Sequence, residues 1–192
     1  FTPGALTYKE SGPGVNIDSV LNFSPQTYSY DFFVYAEDEV RFSQRLKVNF
    51  GLHYAGYAVD GDYLNSLQPR VSGRYLINER LSAKLSYASM MQFIHLLSNT
   101  SVGLPTDLWV PATSQVPAQS SQQIAAGLSH SIPKYKLDLS IEGYYKWMDG
   151  LIEYKEGASF ISRSNWQSQI ETNGRGWAYG MEFLVQRKMG QL

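Results

Sequence analysis

Cysteine is absent from the 192 residues, which removes disulfides, thiol catalysis and thiolate metal sites together. Long apolar runs are missing as well. No stretch of about 18 apolar residues occurs, so no transmembrane helix is expected. A mean hydropathy of -0.28 excludes a helical membrane bundle, but not a barrel, whose strands are half polar. Neither sign of charge dominates: 16 Lys and Arg stand against 17 Asp and Glu. A net charge of -1 gives no basic surface for nucleic acid. Histidine is scarce, and His53, His95 and His130 have no second ligand at metal-binding spacing, so no metal site and no cofactor are expected. Serines are many, yet no G-x-S-x-G elbow occurs, and the acidic cluster Glu37-Asp38-Glu39 lacks the cleft a carboxylate pair needs. The residues do not point to an enzyme.

What the chain does have is aromatic residues, 14% in all with 14 Tyr, and long alternating segments. From Lys134 to Met148, Tyr135, Leu137, Leu139, Ile141, Gly143, Tyr145 and Trp147 fall on one face, and Lys134, Lys136, Asp138, Ser140, Glu142 and Lys146 on the other. Tyr135 and Tyr145 bracket ten residue steps. At about 3.3 Å per residue and a tilt near 40°, ten steps rise roughly 25 Å, the height of the apolar band on an outer-membrane barrel. This segment therefore reads as a transmembrane β-strand with an aromatic at each interface and Leu139 near mid-depth.

Similar alternation occurs at Tyr28 to Ala36, Leu46 to Tyr54, Arg70 to Tyr75, Leu81 to Ala88, Ile124 to Leu128 and Trp177 to Gln186, with a weaker segment from Val15 to Phe23. About eight antiparallel strands result, and the fold class is all-β. Short turns are expected at Ser43 to Arg45, Asn78 to Arg80, Ile132 to Lys134 and Arg187 to Gly190. Longer joins are expected at Ala58 to Ser66, Phe93 to Ser120 and Asp149 to Asn173. Short and long connections alternate, as they do between the periplasmic turns and external loops of an up-and-down barrel. A soluble sandwich or lipocalin-like barrel would need shorter strands and gives no reason for this sorting.

On that frame Arg70, Arg74, Lys136, Glu142 and Lys146 face the lumen. Asp38 falls on the apolar face, so it is expected in the headgroup zone near a turn or on a bulge that reverses its direction. The long joins hold the candidate ligand contacts Asp107, Trp109, His95, Tyr154 and Trp166, since exposed aromatics beside polar groups suit sugars and other amphipathic ligands.

One ordered set of segments runs Phe33-Val34-Tyr35-Ala36-Glu37-Asp38-Glu39-Val40, Leu46 to Tyr54 with its Asn49, Gly51, His53 and Tyr54, Leu67 to Ser72, and Leu85 to Ala88. Leu104 to Pro111, Glu142 to Lys146 and Gly176 to Glu182 continue it. Together and in this order these segments resemble the barrel of TonB-dependent outer-membrane receptors of the Bacteroidetes type. The resemblance implies that residues 1–192 are part of a single barrel domain, about eight strands from the C-terminal part of a 22-stranded barrel, with the plug domain not present. Also implied are a bacterial outer-membrane location, a plug domain of the same protein and TonB as partners, a possible surface lipoprotein, and energised uptake of a siderophore, cobalamin, peptide or glycan. The ending Lys188-Met189-Gly190-Gln191-Leu192 reads as a turn into another strand, in keeping with a piece of a larger barrel. The alternative is a complete eight-stranded outer-membrane barrel with an adhesion or structural role.

Overall fold

A computed structural model describes residues 5–12, 15–22, 28–97, 108–156 and 166–187. Within them run β1 (Ala5–Gly12), β2 (Val15–Asn22), β3 (Ser29–Arg41), β4 (Leu46–Val59), β5 (Asp62–Leu76), β6 (Leu81–Gln92), β7 (Ile94–Leu97), β8 (Leu108–Pro111), β9 (Gln119–Ile132), β10 (Leu137–Tyr154) and β11 (Ile170–Arg187). Seven strands form one antiparallel sheet in the order β11-β10-β9-β6-β5-β4-β3, and β1-β2 and β7-β8 are separate hairpins. Apart from the inserted β7-β8 hairpin, every strand of the sheet pairs with its neighbour in sequence. This is the up-and-down wall that the alternation predicts. The eight expected strands are all present; β1 and the β7-β8 hairpin were not anticipated.

The register sorts side chains cleanly between two faces. Phe50 stands opposite Asp38 and Val71, and Ile141 opposite Leu128 and Phe183, so these point outward together. The outward face leaves large apolar groups uncovered, with Phe183 72% and Leu85 60% exposed. An apolar surface of this extent is stable only against lipid or another apolar partner. Aromatics collect toward one end of it: Phe32 packs near Tyr54 and Tyr63, whose hydroxyls lie 2.9 Å apart, and Tyr145 stacks on Tyr179. Sheet strands of 12 to 18 residues exceed the ~9–11 a tilted strand needs to cross, so the surplus stands clear of the bilayer on one side.

The short turns are built by local polar contacts. Ser43 Oγ accepts from the amides of Arg45 and Leu46, and Asn78 Oδ1 from those of Arg80 and Leu81. Between β9 and β10, Pro133–Tyr135 form a 3-10 turn closed by Lys136 at φ 53. The strand therefore starts at Leu137. Lys136 and Tyr135 belong to the turn, which corrects the expectation that they alternate on the strand, and Leu139 lies near the turn end of β10 and not at mid-depth. The pairing of β3 with β4 runs without interruption, so no bulge redirects Asp38, which faces outward opposite Phe50.

On the other side two expected joins shrink. Ala58 to Ser66 is a two-residue turn, Asp60 at φ 49 and Gly61 at φ 87, and an Asp-Gly pair supplies those left-handed angles at low cost. Within Asp149 to Asn173, residues 149–154 prolong β10 and residues 170–173 open β11, with register shifts at Asp149/Leu151 and Leu151/Glu153 before β10 ends at Tyr154. The buried core sits on this side too. Ala55, Tyr57, Val59, Phe93 and Ala112 make one cluster, and Leu97, Val110 and Ile170 a second against Ile152 and Tyr154. His95 is 0% exposed in β7, and neither ring nitrogen completes a hydrogen bond of good geometry. Burial pushes its pKa down, opposed by Gln119 and the Pro117 backbone.

Two outcomes are expected. Leu85→Arg places a charge mid-strand against lipid and should cost about 2–4 kcal/mol by urea unfolding in lipid vesicles, whereas Leu139→Lys near the turn should cost about 0–1 kcal/mol. For His95, the folded state favours the neutral ring while the unfolded ring protonates near pH ~6.5. The outer cap should therefore hold its full stability above that pH and lose it as pH falls. Amide protection factors across β7-β8, which take out the intrinsic pH dependence of exchange, should fall between pH 7.5 and 5, and His95→Phe should flatten that dependence.

Candidate functional site

The inner face of the wall carries the polar set. Lys47, Asn49 and His53 on β4 share it with Arg70, Ser72 and Arg74 on β5, Lys84 and Ser86 on β6, and Glu142 and Lys146 on β10. The wall splits near its outer end. β5 pairs with β6 only from Arg70 onward, while β4 accompanies β5 up to Asp62. Pro69, which has no N–H to donate, stands at the point of separation. Above it the β4-β5 arm and the β6-β9 pair diverge and open a cavity of about 850 Å³.

That cavity has a mixed lining. Phe33, Met90, Phe93, Trp109 and Met148 supply apolar surface, and Asp31, His53, Gln68, Arg70, Gln119 and Lys146 supply polar groups. The Phe33 and His53 rings stack at 5.7 Å. Arg70 and Lys146 make no ion pair among the described residues. A concave, largely apolar site that holds two cations against one carboxylate, Asp31, is suited to an organic ligand bearing negative charge.

The side wall of the mouth is held by its own packing. The Tyr57 and Phe93 rings stack at 5.2 Å with an interplanar angle of 1°, and the Ala112 amide donates to the Phe93 carbonyl. The Ser114 amide donates to Asp62 Oδ2 at 3.1 Å, tying the loop after β8 to the tip of the β4-β5 arm. In β7-β8, His95, Leu97 and Val110 turn into the core, while Ile94 and Trp109 turn to the cavity.

The sequence-expected contacts therefore separate. Trp109 lines the cavity and is 47% exposed. His95 does not: it packs beneath the hairpin, which corrects its expected ligand-facing position. Tyr154 is half-buried against the second apolar cluster. Trp166 opens the 3-10 turn Trp166–Gln169, and Asp107 lies outside the described residues. Of the expected lumen set, Arg70, Arg74, Glu142 and Lys146 share the inner face, and Lys136 sits in the turn. Asp31, Phe33, His53, Gln68, Met90 and Met148 were not singled out as site residues. Their one signal in the sequence is parity, since each falls on the inner register near the outer end of its strand. Among the described residues no three His, Asp or Glu groups converge on a metal-binding point.

Three solved structures share this arrangement of strands. The FrpB iron transporter of Neisseria meningitidis aligns with TM-score 0.60 and 13% identity over 85% of this chain and 24% of its own. The ferric-catecholate import receptor Fiu of E. coli K12 gives 0.59 and 11% over 90% and 27%. The alcaligin outer-membrane receptor FauA of Bordetella pertussis gives 0.53 and 16% over 85% and 28%. The chain thus spans about a quarter of the length of these proteins, and at such identities the likeness is one of fold. Comparison with curated proteins returned no match. The sequence profile of the TonB-dependent receptor-like β-barrel matches residues 2–190. With that match over nearly the whole chain and a wall of outward-facing apolar strands, the chain belongs to the TonB-dependent receptor β-barrel family of the bacterial outer membrane.

Proposed function

We propose that this chain is part of the single barrel domain of an outer-membrane transporter that takes up a scarce ligand with energy delivered through TonB, and that it is not an enzyme. The observation that carries this reading is the cavity at the outer end of the lumen, where Arg70 and Lys146, with no ion pair among the described residues, stand beside Trp109, Phe33, Met90 and Met148. External ligand meets this surface first. The mechanism begins with capture there and ends with remodelling of a plug domain of the same protein. A seven-stranded sheet whose edges β3 and β11 find no second partner among the described residues fits a portion of a larger barrel better than a closed small one with an adhesion role.

The ligand is an organic molecule with both anionic and apolar parts. Among a siderophore, cobalamin, peptide or glycan, this chemistry favours a siderophore-like chelate. Two of the structural neighbours are named for iron or ferric-catecholate import, which makes a ferric catecholate the first probe. Placement in the Bacteroidetes branch, in the C-terminal part of the barrel, and beside a surface lipoprotein belongs to the same proposal and rests on the sequence segments quoted above.

The denatured mass of the polypeptide in its native membranes should be several times 21.7 kDa. Cells carrying it should accumulate the ferric catecholate in a manner abolished by a protonophore. Arg70→Ala with Lys146→Ala should raise the ligand Kd about tenfold or more, since each charged hydrogen bond contributes about 1.5–3 kcal/mol. Unchanged binding in that double variant would remove the cavity from the ligand's path.

A further inference from the structure

The split between β5 and β6 begins within the depth of the bilayer. Their ladder holds seven residue pairs, from Arg70–Ala88 to Leu76–Ser82. Six steps at about 3.3 Å and a tilt near 40° rise roughly 15 Å, against an apolar band of about 25 Å. Lipid-facing residues of β5 continue past the split. Leu67 is exposed on the outward face opposite Tyr54, and Tyr63 joins the aromatic group of Phe32 and Tyr54. Beyond Pro69, Tyr63 to Gln68 pair only with β4, and Ser89 to Gln92 only with β9, among the described residues. The outer ~10 Å of the apolar band thus meets a seam that no backbone ladder crosses. Unpaired strand backbone at that depth is tolerated where it is buried in protein or lines a water-filled cavity.

The cavity of about 850 Å³ lies against this seam and reaches into it. Met90 and Ser121, of inward parity, line it, and so do Met91 and Ser120, of outward parity. A closed wall would show it one face alone. On the outward side the β6-β9 flank turns polar past Tyr87. Ser89 stands opposite Gln122, whose Oε1 accepts from the Tyr87 hydroxyl at 2.8 Å. The β5 flank stays apolar at Leu67. At the base of the seam one inward row runs Arg70, Ala88, Gln123, Lys146. Its two cations stand three strand steps apart, about 14 Å at ~4.8 Å each, with the short Ala88 between them. Neither makes an ion pair among the described residues.

We propose that the β5-β6 seam is a lateral portal between the cavity and the outer leaflet, occupied by an anionic membrane amphiphile lying sideways. Its head sits at Arg70 and Lys146, and one acyl chain passes out between Leu67 and Ser89. The chain then stays in hydrocarbon while the head gains a hydrated, cationic site, so neither part is moved into the wrong solvent. A ligand arriving from the medium needs no opening in the wall. One that arrives within the membrane does. The portal shares its cavity with the uptake reading and goes beyond it, because it makes the outer leaflet a second source of ligand.

The test uses the full-length protein in phospholipid vesicles, with heat-modifiable gel migration as the check on barrel folding. A bimane label on Ser121→Cys reports from the cavity, and one on Ser72→Cys from the inner face below the split. Phosphatidylglycerol brominated on its acyl chains should quench the label at 121 about twofold or more over that at 72. Brominated phosphatidylcholine should quench it less, and Arg70→Ala with Lys146→Ala should abolish that preference. Ser89→Trp, which fills the seam, should cut the quenching at 121 by about half or more. Should Ser121→Cys fail to fold, Met90→Cys on the same row carries the label. Quenching at 121 no greater than at 72, or by aqueous iodide alone, would overturn the portal. Equal quenching by the two lipids would overturn the anionic head. Energised ferric-catecholate uptake without acyl-chain quenching would sink the portal and leave the transport reading. Acyl-chain quenching without energised uptake would do the reverse.

Discussion

A backbone amide or carbonyl inside a bilayer has no water to bond, so the wall must pair each one within itself. The rest of this structure follows from that requirement. It forces long antiparallel ladders, with β10 and β11 paired from Leu137–Arg187 to Tyr154–Ile170. It also confines irregular backbone to the two ends. The 3-10 turn at Pro133–Tyr135 and the register shifts near Gly150 both fall outside the central span. By the same requirement β3 and β11, which have one strand neighbour each among the described residues, stand as edges with a row of groups left to pair.

Once the ladder is set, chemistry divides by face. Outward positions answer to lipid, so apolar and aromatic residues crowd there even though they are exposed. Inward positions answer to water and to whatever occupies the lumen, so charge is tolerated at any depth. The split above Pro69 turns this two-faced wall into a site. By parting β5 from β6 it opens a mouth whose floor is polar and whose sides come from a separately packed hairpin. The Tyr57–Phe93 stack and the Ser114–Asp62 contact hold that mouth without help from the membrane.

Legibility in the sequence follows from range. Alternation is a local property, so Leu46 to Tyr54, Leu81 to Ala88 and Trp177 to Gln186 were readable as strands, and Arg70, Arg74, Glu142 and Lys146 as inward-facing. His95 shows the opposite case. A histidine in a long join reads as exposed, yet β7 pairs with β8 and turns that ring into a core completed by distant Gln119 and Pro117. The Asp60-Gly61 turn was hidden for a simpler reason. The apolar-polar alternation weakens beyond Tyr54, although backbone pairing continues to Val59.

The sequence by itself determined the fold class, the parity of most wall residues and the short-turn side, because each depends on a period of two and on local turn chemistry. Tertiary structure decided which of those residues meet. Arg74 neighbours both Lys47 and Lys84, and Glu142 neighbours Glu182, through registers that no single strand encodes. Phe33, His53 and Met90 come from three strands, and Trp109 from a loop hairpin. Only the divergence of the strands at Pro69, together with the folding of that hairpin, gathers them around one cavity.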